Sequence, residues 1–145
     1  MILCPSCKNP MEEKISYGIT IDQCKSCKGL WFDKDELLAF CIMSGHDRNL
    51  VEKALNRFEH ISVTEENFCP RCKSCKLNKT RIASVQILNC DNCKGFYISN
   101  EEIQHLLIHL HTKKESVKLQ KTGNVFSGGL LGFGLEEIIS EIFDI

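Results

Sequence analysis

The spacing of apolar residues changes several times along this chain. Ile15, Tyr17, Ile19 and Ile21 alternate with Ser16, Gly18 and Thr20, the period of a half-buried strand. Val85 and Ile87 alternate with Ser84 and Gln86, and Leu77 and Ile82 mark the strand before them less clearly. Between these regions the period lengthens. Residues 34 to 43 predict a short helix stopped by Ser44-Gly45. Asp47 is placed to cap a second helix across residues 48 to 60, with Leu50, Ala54, Leu55 and Phe58 on one stripe. Residues 61 to 67 are polar and read as a link. A third helix is predicted from about Asn100 to about residue 120, with Ile103, Leu106, Leu107 and Leu110 on one face and His105 and His109 turned to solvent. Last comes GNVFSGGLLGFG (123 to 134), then LEEIISEIF. There Leu135, Ile138, Ile139, Ile142 and Phe143 fall at i, i+3, i+4, i+7 and i+8 of an amphipathic helix.

The chain also repeats a phrase. CKSCKGLWFDKDEL at 24 to 37 returns as CDNCKGFYISNEEI at 90 to 103. Leu30, Trp31 and Phe32 match Phe96, Tyr97 and Ile98, bulky residues suited to core packing. Asp33 to Glu36 and Ser99 to Glu102 both read as capping boxes, so each repeat should feed a helix. Gly29 and Gly95 sit where a positive φ would let the chain leave each repeat.

The totals narrow the class. At 145 residues the chain suits one ordinary domain or two small ones. The first residues, MILCPSCKNPMEEK, hold no apolar run of signal-peptide length, and no window approaches a membrane span. The expectation is therefore a cytoplasmic protein in a reducing compartment, with no membrane partner. Net charge is −1 but unevenly spread. Residues 69 to 95 carry Arg71, Lys73, Lys76, Lys79, Arg81 and Lys94 against Asp91, or +5. Residues 123 to 145 carry Glu136, Glu137, Glu141 and Asp144 with no base, or −4.

Ten cysteines decide the chemistry. Cys4-Pro-Ser-Cys7 is followed after sixteen residues by Cys24-Lys-Ser-Cys27. Cys69-Pro-Arg-Cys72 is followed after seventeen by Cys90-Asp-Asn-Cys93. Each half is C-x2-C, a spacer and C-x2-C, the spacing of a four-cysteine zinc site. Two such turns at the open end of a hairpin close a tetrahedral shell. Iron in the same thiolate cage is the alternative. A thioredoxin-like motif would need one C-x-x-C in a βαβ setting, and disulfides an oxidising compartment. Four thiolates leave no open position for a catalytic water. Cys75 reads as a spectator aligned with Pro10, and Cys41 as a buried apolar residue.

The motif C-P-x-C, a spacer, then C-x-x-C-x-G-h-W-h-D-x-x-E-L resembles the TFIIB-like zinc-ribbon family, the prokaryotic transcription factor zinc-finger domains. The first copy carries it on Cys4, Pro5, Cys7, Cys24, Cys27, Gly29, Trp31, Asp33, Glu36 and Leu37. The second keeps Cys69, Pro70, Cys72, Cys90, Cys93, Gly95 and Glu102, with Tyr97, Ser99 and Ile103 departing. The resemblance implies zinc binding and hints at transcription or nucleic-acid work.

The expected fold is small, α+β and metal-stabilised. It comprises two zinc ribbons, each a β-hairpin with paired cysteine knuckles followed by an α-helix, plus the C-terminal amphipathic helix. The expected units are residues 1 to 44, 45 to 67, 68 to 120 and 121 to 145. The expected metal content is two zinc ions, on Cys4, Cys7, Cys24 and Cys27 and on Cys69, Cys72, Cys90 and Cys93. The expected role is a non-enzymatic interaction or adaptor module, whose Leu135, Ile138, Ile139, Ile142 and Phe143 dock on a protein partner or a second copy. Binding of DNA or RNA through Arg71, Lys73, Lys76, Lys79 and Arg81 is the alternative, and a thiol or metal redox switch a third.

Overall fold

Two hairpins begin the two halves of the molecule. In the computed structural model, which describes residues 1–122, β1 (Met11–Ser16) and β2 (Ile19–Cys24) pair antiparallel around Tyr17-Gly18. Both turn residues have positive φ, 52° and 76°, the geometry that matches strand twist in a two-residue turn. The alternation of Ile15, Tyr17, Ile19 and Ile21 therefore straddles a reversal and is not one strand. Ile15 ends up exposed and opposite Thr20, while Ile21 is buried opposite Lys14. The second hairpin is built alike, with β5 (Lys76–Ile82) and β6 (Val85–Asn89) joined through Ala83 and Ser84 at φ 47° and 71°.

Short strands then fuse the halves. β3 (Leu30–Phe32) pairs β2, and β7 (Phe96–Ile98) pairs β6. β3 and β7 also pair with each other, in the register Leu30↔Ile98, Trp31↔Tyr97 and Phe32↔Phe96. The result is one antiparallel sheet in the order β1-β2-β3-β7-β6-β5-β4, whose centre is the two copies of the repeated phrase. β4 (Glu59–Phe68) takes the outer edge beside β5, with register shifts at His60/Ser62 and Val63/Phe68. This corrects two expectations. Residues 61 to 67 are strand and not a polar link, and the second helix does not reach residue 60. An edge strand keeps water on one side of its backbone and tolerates polar side chains, so EHISVTEENF lacks the apolar run of an inner strand. Phe58 leaves the helical stripe to stack on Phe96, ring centres 5.9 Å apart.

Three helices occur among the described residues: α1 (Glu36–Met43), α2 (Arg48–Leu55) and α3 (Asn100–Thr122). They cover one face of the sheet. There Ile21, Leu30, Phe32, Ile82, Ile87 and Ile98 meet Leu37, Phe40, Val51, Ile103, Leu106 and Leu110 in the main core. Cys41 is fully buried here, as expected, and burial pushes its thiol up to about 12. The opposite face buries Trp31, Tyr97, Met11 and Leu77 beside the knuckle cysteines. His105 is exposed and His109 half-buried. The fold is thus a small α+β structure. Leu135, Ile138, Ile139, Ile142 and Phe143 lie outside the described residues.

Each expected capping box is only half formed. Glu36 accepts from the Asp33 N–H at 2.8 Å, but the Asp33 carboxylate is drawn to Trp31 Nε1 and to Arg71. The N-cap of α1 is Asp35, in a left-handed conformation with no side-chain bond. Conversely, Ser99 Oγ accepts from the Glu102 N–H, while the Glu102 carboxylate accepts from the Gln86 N–H and ties α3 to β6. Tertiary partners outbid the reciprocal local bond in both copies. Asp47 caps α2 as predicted, through Leu50 N–H.

His46 fixes the α1–α2 corner. It is buried, with Nδ1 3.2 Å from the Cys41 carbonyl and Nε2 3.3 Å from that of Leu107 on α3. Burial lowers its pKa below the ordinary 6.5, with His111 and Lys114 adding to the effect and the two carbonyls opposing it. The unfolded chain then holds the proton more readily than the fold. This contribution to stability is complete above the unfolded value of 6.5 and is lost as the pH falls through the folded pKa. His46→Gln should flatten the pH dependence of the urea midpoint in zinc-replete buffer below neutrality. The change in slope is at most about 1.4 kcal/mol per pH unit. An unaltered slope would assign the acid sensitivity elsewhere.

Candidate metal centres

Each of the four knuckles is a Cys-x-x-Cys-Lys turn. The lysine takes the left-handed conformation every time: Lys8 at φ 64°, Lys28 at 62°, Lys73 at 63° and Lys94 at 62°. Its N–H donates to the carbonyl of the first cysteine at 2.9, 3.1, 2.8 and 2.9 Å respectively. That closure swings both sulfurs to one side. The positive φ expected at Gly29 and Gly95 thus falls one residue earlier, on Lys28 and Lys94.

The turns converge in pairs. Cys4, Cys7, Cys24 and Cys27 bring their sulfurs within 4.8 Å of one another, and so do Cys69, Cys72, Cys90 and Cys93. Closest approaches are 3.3 Å for Cys7–Cys24, 3.6 Å for Cys4–Cys27 and Cys69–Cys93, and 3.9 Å for Cys72–Cys90. Sulfurs at the corners of a tetrahedron about 2.3 Å from a central zinc are about 3.8 Å apart. A disulfide would need about 2.05 Å, and all ten cysteines are free. The donor sets fit two zinc ions, one per ribbon.

The first knuckle of each site is uneven in the same way. Burial pushes the Cys4 thiol up to about 12 and raises Cys69, Cys24 and Cys93 as well. Cys7 is lowered to about 6 and Cys72 to about 7, led by amide donors from Asn9 and Asn92 at 3.3 and 3.2 Å. A buried sulfur surrenders its proton only to a cation that replaces it. These are sites that want a dication, and four thiolates would leave it no open position. Cys75 stands outside the quartet, and its carbonyl accepts from the Cys69 N–H at 2.7 Å.

The two centres are built across the ribbons. Tyr97, from the second ribbon, places its Oη 3.4 Å from Cys27 Sγ and 3.6 Å from Cys4 Sγ of the first. Burial and the two sulfurs raise its pKa, so the phenol keeps its proton and has it to donate to Cys27, while its oxygen accepts from the Cys4 thiol. A Cβ on Gly29 would lie 2.2 Å from Tyr97 Oη, and a Cβ on Gly95 would lie 2.2 Å from Trp31 Cζ2. Each ribbon's aromatic residue therefore crosses the glycine of the other, and that is why glycine is required. The first knuckles cross too. Lys8 Nζ donates to Asn67 Oδ1 at 3.1 Å, and Arg71 bonds Asp22 at 2.6 Å and Asp33 at 3.0 Å.

Arg71, a candidate for phosphate contact, is therefore held by two carboxylates of the first ribbon. Arg81 pairs with Glu59 at 3.3 Å. Lys73 and Lys76 are exposed, and Lys79 is half-buried beside Leu88 on β6. Tyr97, Arg71 and the two asparagines were not assigned these roles from the sequence. One signal was there: all four knuckles read C-x-x-C-K.

Residues 3–41 and 68–109 match the family described as Transcription factor zinc-finger, a TFIIB-type zinc ribbon. The chain belongs to that family, in two tandem copies. No curated protein and no solved structure gives a match.

The crossing predicts unequal effects from one substitution. Tyr97→Phe should loosen zinc at the Cys4 site about tenfold, as measured by release to a chelator. The Cys69 site should be unchanged. Equal release from both sites, or none, would contradict the assignment of the phenol. Gly95→Ala should lower stability by about 3 kcal/mol through forced displacement of Trp31, read as a fall in the unfolding midpoint.

Proposed function

We propose that this member of the transcription factor zinc-finger family is a non-enzymatic, zinc-ordered protein-interaction module. The observation that carries the reading is how the chemistry of the molecule is used internally. Eight thiols form two closed quartets, and Arg71 is held between Asp22 and Asp33. What remains outside is surface for recognition. Phe58, Ile61, Val63 and Phe68 stand exposed along or beside β4, an edge whose outer backbone groups have no strand partner among the described residues. The docking element is the amphipathic stripe of Leu135, Ile138, Ile139, Ile142 and Phe143, carried on a glycine-rich tether. A protein partner is the occupant, with a second copy as the homo-oligomeric case. No helix among the described residues is long and apolar enough to cross a membrane, and thiolate–zinc centres suit a reducing compartment such as the cytoplasm.

Nucleic-acid binding keeps one supporting observation, the exposed Lys73 and Lys76. A surface using Lys73, Lys76, Lys79 and Arg81 on duplex DNA would give a log–log salt slope of about −3.6. The interaction reading predicts no such slope for the full chain with duplex DNA, and no salt-steep binding to single-stranded RNA. It predicts loss of partner capture from native extract for Ile138→Asp with Ile142→Asp, at unchanged zinc content. Salt-steep binding abolished by alanine at those four basic positions would replace it. Arg71→Ala is unsuitable for this comparison, because it frees a half-buried carboxylate pair and disturbs the fold.

A further inference from the structure

A groove of about 420 Å³ opens on the helical side of the molecule, between α2, α3 and the β5–β6 turn. Its apolar wall is Leu50 and Ala54 from α2, Ala83 from the turn and Leu110 from α3. Around this wall stand three cations, Lys53, Arg57 and Lys113. All three are exposed, and none is in an ion pair among the described residues. An apolar strip with a cationic rim selects an amphipathic segment with acidic flanks.

The chain contains such a segment. Leu135, Ile138, Ile139, Ile142 and Phe143 form the apolar stripe, and Glu136, Glu137, Glu141 and Asp144 flank it. Those four acids are the only charges in residues 123 to 145. The path is short enough. From Lys113 to the end of α3 at Thr122 is nine residues, about 14 Å of helix. Residues 123 to 134 can span up to about 40 Å when extended. A tether of this length holds its cargo at an effective concentration on the order of mM, so a weak contact suffices.

We propose that residues 135 to 144 fold back and seat on the Leu50–Ala54–Ala83–Leu110 groove of their own chain. The fold-back form covers the same apolar stripe that an external partner would take, so it acts as an intramolecular competitor. It rests on the reading of that stripe as a docking element. A closed population of nine-tenths weakens apparent capture by a partner about tenfold.

The test uses the full, zinc-loaded chain with Phe143 replaced by the photo-crosslinker p-benzoylphenylalanine. Mixing unlabelled with ¹⁵N-labelled chains separates contacts within one chain from contacts between two. Crosslinks should map to residues 48 to 57 and 109 to 113 of the same chain. Lys53→Glu, Arg57→Glu and Lys113→Glu together should cut their yield about fivefold or more. Glu136→Lys, Glu137→Lys, Glu141→Lys and Asp144→Lys in that background should restore it, which a merely damaged fold would not do. Crosslinks confined to mixed-isotope pairs, crosslinks elsewhere on the chain, or a yield indifferent to charge reversal would each overturn the proposal. If partner capture survives such a result, only the fold-back fails. If capture also survives Ile138→Asp with Ile142→Asp, the docking reading fails with it.

Discussion

Two aromatic side chains crossing two glycines organise this molecule. Trp31 lies over Gly95 and Tyr97 over Gly29, at the point where β3 and β7 pair. Each aromatic is almost wholly buried, and neither could be so placed if its facing position carried a Cβ. A ribbon of about 40 residues holds too little core to be stable alone. The crossing offsets this. It lends each ribbon an aromatic lid from its neighbour and joins the three strands β1 to β3 and the four strands β4 to β7 into one continuous sheet. The face opposite the metals is then wide enough for α1, α2 and α3 to build a common core.

The same crossing makes the two centres unlike. Their first knuckles are arranged in parallel, with Cys4 and Cys69 pushed up by burial and Cys7 and Cys72 eased by an asparagine amide. Their lids differ. Tyr97 brings a phenol proton to the Cys4 site, whereas the indole N–H of Trp31 is taken by Asp33, which also receives Arg71. One site thus gains a hydrogen bond to sulfur, and the other shares an ion-paired latch with the opposite ribbon. Substitution of tryptophan by tyrosine between the copies preserves bulk and changes the electrostatics of the partner site.

The metal quartets were legible because covalent spacing alone constrains a C-x-x-C turn, and the repeat exposed the pairing. The core face of α3 was legible because Ile103, Leu106, Leu107 and Leu110 keep one helical period. What escaped depended on partners far away in sequence. Tyr17-Gly18 reversed the chain inside an apparent strand, because an alternation of period two does not register a turn of two residues. β4 was hidden because an edge strand needs little apolar character. Asp33 and Glu102 were read as local caps and serve distant groups, Arg71 and Gln86. Arg71 looked like a free cation because charge along a sequence says nothing of which carboxylates fold beside it.

The interdependence of the two centres is measured most directly by native mass spectrometry of the full chain carrying Cys69→Ser and Cys72→Ser. With the second quartet broken, β7 loses its anchor and Tyr97 its fixed position over Cys4 and Cys27. The remaining site should then bind zinc about tenfold or more weakly in competition with a chelator. A single zinc held at the first site with undiminished affinity would show that the ribbons stand independently, and would contradict the shared construction.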